Sequence, residues 1–247
     1  MSDSILQVRN VSRAFGGLLA VNDVSFDVGR HRVTTIIGPN GAGKSTLFNL
    51  VSGALRMDSG SVKLAGRDVT GMSPALLQNA GMARSFQITN VFFGLTVVEN
   101  IRLAAQLLER KAAMIRSVIS SRRACDKVGE MLARFNLKAK ESELAGNLSH
   151  GEQRRLEMAI CLASEPEVLM MDEPTQGMSH GDTEETAELI RDLSKTVTVL
   201  LIEHDINLVM KLSSHIVVMH QGKKLAEGSP AEVRDNPSVQ AAYFGQH

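Results

Sequence analysis

Gly38, Pro39, Asn40, Gly41, Ala42, Gly43, Lys44 and Ser45 run in the order G-x-x-x-x-G-K-[ST], a pattern able to cradle phosphate. Its glycines let the backbone turn so that successive N–H groups point inward at phosphate oxygens. A helix starting near Lys44 adds the positive end of its dipole. Lys44 would reach the β- and γ-phosphates of a nucleotide, and Ser45 would ligate Mg²⁺. Thr46 then leads into the helical run Leu47 to Val51. A glycine-rich turn without ligand has the same composition. Here, however, the string leaves a β-branched run, Arg32 to Ile37, and enters a helix, the context that phosphate binding requires.

Val168-Leu-Met-Met-Asp172-Glu173 is an apolar strand ending in two acids, the Walker B arrangement. Asp172 would hold Mg²⁺ directly or through water, and Glu173 would polarise an attacking water. An acid-capped apolar strand is common by itself; its pairing with the phosphate loop gives it chemical meaning. Together the two strings describe a P-loop nucleoside triphosphatase. The guanine-reading string Asn-Lys-x-Asp is absent, which weakens a GTPase reading. Just ahead of the acids stands Leu148-Ser149-His150-Gly151-Glu152-Gln153. Ser149 is a good N-cap, Glu152 completes a capping box, and Arg154 to Ala163 is periodic and helical. A helix N-terminus with a free serine hydroxyl can take a phosphate, although an isolated string of this kind is ordinarily only a cap.

Strands must carry these groups. Ile5 to Val11 and Val21 to Val28 alternate apolar and polar residues, as half-buried strands do. Val168 to Met171 and Thr196 to Ile202 are continuous apolar runs, expected where both faces of a strand are covered. His215 to Met219, the Gln221-Gly222 turn and Lys224 to Ala226 read as a closing hairpin. Ser73-Pro74 opens a short helix that Gly81 ends. The Thr96-Val-Val-Glu99 capping box opens another helix, carrying Ile101, Ala105 and Leu108. From about 88 to 165 the text is helical, without strand signals. The expected architecture is therefore α/β, with a helical subdomain (about 88–165) inserted into a core of about 1–87 and 166–247.

Composition limits the partners. The 247 residues carry 27 Lys plus Arg against 27 Asp plus Glu. This balance argues against a nucleic-acid binder, which would carry a basic excess. Cys125 and Cys161 lack the close spacing of zinc or redox sites and read as reduced thiols. Residues 1–4 show no signal-peptide features, and no apolar run reaches the roughly 20 residues of a membrane span. A protein of this kind working at a membrane needs a partner to do the crossing.

Residues 148–153 resemble the Leu-Ser-Gly-Gly-Gln signature of ABC ATPases, and the resemblance covers essentially the whole chain. It implies a P-loop ABC core, a mainly parallel sheet with an N-terminal antiparallel part, binding ATP and Mg²⁺. By position, Phe15 matches the aromatic that stacks on adenine, though alone it reads as a core residue. Gln87 matches the glutamine that contacts Mg²⁺ and couples to membrane subunits, and His204 the histidine that contacts the γ-phosphate. Ser149 and Gly151 match the residues that close on ATP held by a second subunit. More narrowly, Phe15-Gly-Gly-Leu-Leu-Ala-Val21, Arg84-Ser-Phe-Gln87, Gly151-Glu-Gln-Arg-Arg-Leu-Glu157, Leu201-Ile-Glu-His-Asp205 and Ala242-Tyr-Phe-Gly245 look like branched-chain amino-acid importer ATPases. The implied partners are two transmembrane permease subunits, a second ATPase (a copy or a paralogue) and a separate substrate-binding protein. The implied place is the cytoplasmic face of a bacterial inner membrane.

Two residues depart from the pattern. His150 replaces the first signature glycine, and Ser179 replaces the acid of the D-loop, which questions the speed of hydrolysis. Other readings remain: a lipopolysaccharide-exporter ATPase, a soluble ABC ATPase acting on DNA or ribosomes, and a regulatory subunit that only binds. The basic stretch Arg110, Lys111, Arg116, Arg122, Arg123 and Lys127 could face anionic lipid or be a solvated helix face. Val91-Phe92-Phe93 reads as part of a groove for a membrane subunit or as a core loop.

Overall fold

The computed structural model describes residues 4–85, 91–106 and 122–244. The chain opens with the long antiparallel pair β1 (Ser4–Phe15) and β2 (Leu18–Gly29), then β3 (Val33–Ile37) and helix α1 (Lys44–Val51). β4 (Ser59–Leu64), β5 (Arg67–Asp68), α2 (Pro74–Asn79) and β6 (Met82–Ser85) follow. Next come α3 (Val97–Ala105), α4 (Arg122–Arg134) and α5 (His150–Ala163). The rest is β7 (Val168–Asp172), α6 (His180–Leu193), β8 (Thr198–Ile202), α7 (Ile206–Leu212), β9 (His215–His220), β10 (Lys223–Gly228), α8 (Pro230–Arg234) and α9 (Pro237–Phe244). The expected helix at Thr96 is present with both capping-box bonds; Leu108 lies outside the described residues.

One sheet is antiparallel, in the order β2-β1-β4-β5; the other runs β10-β9-β3-β8-β7-β6. In the second sheet β9, β3, β8, β7 and β6 are parallel, and β10 is antiparallel to β9. The apolar runs are continuous because alternate side chains enter two different cores. Leu169, Met171, Val199 and Leu201 pack with the helices α3, α4 and α5. Val168, Met170, Leu200 and Ile202 pack with α1 and the antiparallel sheet. Each fully buried side chain of this size contributes about 1.5–3 kcal/mol relative to exposure. The strand ends between the two cores are thus held on both sides. Parallel strands β3, β8, β7 and β6 lie side by side and end on the same edge, where ligands of open α/β sheets bind.

Candidate functional site

β3 runs straight into the phosphate loop. A Cβ at Gly38 would lie 2.2 Å from the Met219 carbonyl oxygen, so no side chain fits. At Gly43, φ is +96° and a Cβ would meet the Ala20 carbonyl oxygen at 2.4 Å. The loop is tied to the turn between β9 and β10 by Gly222 N–H donating to Ala42 O at 3.0 Å. Lys44, the first residue of α1, donates from Nζ to the carbonyls of Gly38 (2.8 Å) and Pro39 (3.1 Å). Burial pushes its pKa down, while the carboxylates of Glu173 and Asp172 oppose the shift. Asn40 to Thr46 wall an open groove of about 610 Å³, with Phe15 and Glu173 at its sides. Phe15 is 43% exposed rather than a core residue, and Leu18 (68%) and Leu19 (44%) extend its apolar rim. The Arg13 guanidinium lies 5.0 Å from the Phe15 ring centroid and is pinned by Asp58 at 2.6 Å.

The acids stand on the next strand but one. Asp172 ends β7 only 6% exposed, and burial raises its carboxyl pKa, with the Arg84 guanidinium opposing. Arg84, in β6, comes within 3.5 Å of Asp172 and donates to Asn49 Oδ1 and Ser52 Oγ, both at 2.7 Å. Its guanidinium also stacks 4.8 Å from the Phe48 centroid, so β6, β7 and the phosphate-loop helix meet at one cation. Glu173 turns with φ +46°, a left-handed conformation that a tertiary clamp must hold. Its N–H donates to Ile202 O at 3.0 Å, and its carboxylate lies 3.7 Å from His204 Nδ1. A carboxylate and an imidazole thus sit together at the ends of β7 and β8, and Glu173 shares the groove of Lys44. Gln87 lies outside the described residues.

The oxygen donors fit Mg²⁺. Among the described residues no three His, Cys, Asp or Glu side chains cluster as a dedicated metal cage. Mg²⁺ usually takes one or two protein oxygens and completes its shell with phosphates and water. The exposed Ser45 hydroxyl at the groove and the buried Asp172 carboxylate supply that kind of set.

Ser149 caps α5, but its hydroxyl is not free as the sequence suggested. It donates to Glu152 Oε2 at 2.9 Å and accepts from the Glu152 N–H at 3.4 Å, because the capping box closes on itself. Lys140 holds the other Glu152 oxygen at 3.2 Å. Among the described residues, neither Ser149 nor Gly151 lines the groove of Lys44. His150 instead lines a neighbouring hollow with Asp172 and Glu173. Ser179 caps α6, donating to Asp182 Oδ2 at 2.7 Å, so an acid is present one turn further on.

Several residues at this edge were not singled out for a role in the sequence. Arg84 appeared only within a matched string, and Leu18 and Leu19 only beside Phe15. Tyr243 reaches the phosphate loop: burial pushes its phenol up to about 12, while a hydrogen bond with the Gly38 backbone opposes this. Of the basic stretch, residues 110–121 lie outside the described part. In α4, Arg123 pairs with Glu165 (2.8 Å) and Lys127 with Glu130 (2.9 Å), while Arg122 is exposed.

A parallel sheet whose adjacent strand ends carry a phosphate loop, an acid pair and a histidine defines a P-loop nucleotide hydrolase. The sequence pattern described as "ABC transporter" matches residues 21–176, and that of the "branched-chain amino acid ATP-binding cassette transporter" matches 223–247. The chain is 40% identical, over 100% of both chains, to the high-affinity branched-chain amino acid transport ATP-binding protein LivG of Salmonella typhimurium. It is equally similar, over 100% of both, to the corresponding protein BraF of Pseudomonas aeruginosa. A nucleotide-free ATP-binding cassette from an ABC transporter superposes with a TM-score of 0.85 at 31% identity, covering 98% of this chain and 100% of that one. The ADP conformation of an ATP-binding cassette of an ABC transporter gives the same TM-score of 0.85 at 31% identity, covering 98% and 99%. The chain therefore belongs to the ABC transporter ATP-binding family. It is an ATP-binding subunit and an ATPase; among the described residues no helix is long and apolar enough to cross a membrane.

Proposed function

We propose that this chain binds and hydrolyses Mg·ATP as one of two ATPase subunits of a branched-chain amino-acid importer. The observation that carries the chemistry is the meeting of Lys44, Glu173 and the phosphate loop in one groove at the edge of the parallel sheet. Full-length similarity to LivG and BraF supports the cargo class. Lys44 would swing from its loop carbonyls to the β- and γ-phosphates, Ser45 and Asp172 would hold Mg²⁺, and Phe15 would stack on the base. Mg²⁺ held there would supply charge neutralisation of the phosphates. Glu173 orients the attacking water, His204 contacts the γ-phosphate, and Gln87 joins the metal shell. Ser149 and Gly151 serve the ATP of the other ATPase, a second copy or a paralogue.

The helical region, about 88–165, acts as a unit beside the core and turns toward the membrane partners. Phe92 (60% exposed), Phe93 (48%) and Leu144 (45%) supply an apolar surface there. Gly146 N–H donating to Phe93 O at 3.2 Å brings the two segments together. Two permease subunits dock on this side, at the cytoplasmic face of the membrane, and a separate binding protein delivers the amino acid. No nucleic acid is involved, in keeping with equal numbers of basic and acidic residues. The test is uptake of labelled leucine, isoleucine and valine into proteoliposomes holding the permease subunits and the binding protein. Uptake should require ATP and vanish with Glu173→Gln; ATP hydrolysis without uptake of any of the three would refute the cargo.

A further inference from the structure

Glu203 is a fully buried carboxylate, 0% exposed, in the residue that follows β8. A buried charge-bearing group is tolerated only when hydrogen bonds satisfy it, and here they do. Oε1 accepts from the Thr175 hydroxyl at 2.7 Å and from the Thr175 N–H at 3.3 Å. Oε2 accepts from the His204 N–H at 3.1 Å and lies 3.9 Å from His204 Nδ1. Thr175 is itself buried, two residues beyond Glu173. The pairing of β7 with β8 stops at Asp172 opposite Ile202, with one further bond from Glu173 N–H to Ile202 O. Past that point the ladder no longer sets the distance between the two chain segments; among the described residues, Glu203 bonds both of them.

We propose that Glu203 is a positioning residue for hydrolysis, its carboxylate stapling the Glu173-Pro174-Thr175 turn to the end of β8 and fixing the spacing between Glu173 and His204. The inference rests on the reading that Glu173 and His204 act in hydrolysis. The staple has two sides, and each needs an acceptor. Three donors converge on its two oxygens, so an amide in its place offers one oxygen and one N–H₂. However the amide turns, either Thr175 or His204 then faces a donor instead of an acceptor.

The test compares Glu203→Gln with the parent chain, measuring single-turnover ATP hydrolysis and, separately, ATP affinity. Because a misplacement of about 1 Å in a reacting group lowers rates by roughly 10²-fold, Glu203→Gln should slow hydrolysis by about 10- to 100-fold. ATP affinity should stay within about 2-fold, since no phosphate contact is removed. In a Glu173→Gln background the same substitution should add less than about 2-fold, because the group it positions is already gone. Thr175→Val should slow hydrolysis and Thr175→Ser should restore it, which keeps the test open if Glu203→Gln fails to fold. Hydrolysis unchanged in Glu203→Gln, or a loss of the same size in the Glu173→Gln background, overturns the proposal. If Glu173→Gln alone hydrolyses as fast as the parent, the assignment of Glu173 itself fails, and the staple's purpose with it.

Discussion

Lys44 and Ser149 both stand at helix N-termini, and both side chains rest on acceptors of their own segment. Lys44 donates to two carbonyls of its loop, inside a groove of about 610 Å³ whose walls come from β1, β2, the loop and the end of β7. Ser149 donates to Glu152 on an exposed surface and does not line the groove of Lys44. The difference lies in what surrounds each helix end. The core carries a groove walled by one chain, because strands buried between two cores fix the loop and the end of β7 together. The α5 end offers a cap closed on itself, and on the proposed reading it meets phosphate only when a second ATPase subunit brings it. On the proposed reading binding and hydrolysis are separable: one chain holds nucleotide, and a second surface closes the site.

The comparison can be broken most sharply at Lys44. Lys44→Ala removes a charge-assisted contact and should lower ATP affinity about 10- to 100-fold by calorimetry, whereas Ser149→Ala should leave the affinity of the isolated chain unchanged. Phe15→Ala should weaken ATP by roughly tenfold in the same titration, the worth of one base stacked on an aromatic ring. On the α5 side the readout is stability. Ser149→Ala should cost about 1 kcal/mol in urea unfolding, the usual loss of a helix cap.

The partner of that cap titrates. The Ser149 backbone N–H, followed by its hydroxyl and Lys140, holds the Glu152 carboxyl below its ordinary 4.5. A depressed carboxyl gives stability that is complete above the unfolded value and is lost as pH falls through the folded one. The stability gap between the parent and Glu152→Gln should therefore be full at neutral pH and shrink in acid. The smallest effect is at the far end of α5. Cys161 is buried with its thiol pushed up to about 12, mainly by desolvation, while Cys125 on α4 is exposed. At about pH 8 a thiol reagent should modify Cys125 alone in the native protein and both in urea, as mass spectrometry would show.

Much of this was readable in the sequence because two signals coincided. The apolar runs before Gly38 and Asp172 announced strands, and the residues after them announced chemistry. Other elements left weaker marks. β6 is only Met82–Ser85, too short for a period to show, and it begins beside a glycine read as a helix end. β4 carries Gly60, where the gap beside the Val11 backbone accepts only a glycine, a constraint no local pattern announces. Ser179 read as a missing acid, because the sequence does not show that it caps α6 and engages Asp182. The Ser149 hydroxyl read as free, because the motif does not show where Glu152 turns. Arg84 and Glu203 act through contacts across adjacent strands, with Asp172 and Thr175, which no spacing along one strand announces.

The central claim is that the α5 cap completes the groove of another chain. Light scattering of Glu173→Gln with and without Mg·ATP tests it most directly, since removing the proposed base should slow hydrolysis about 10²- to 10⁴-fold and hold the closed state. A mass that doubles only when Mg·ATP is present is the predicted result. A chain that binds ATP and stays monomeric at every concentration would contradict closure between two copies.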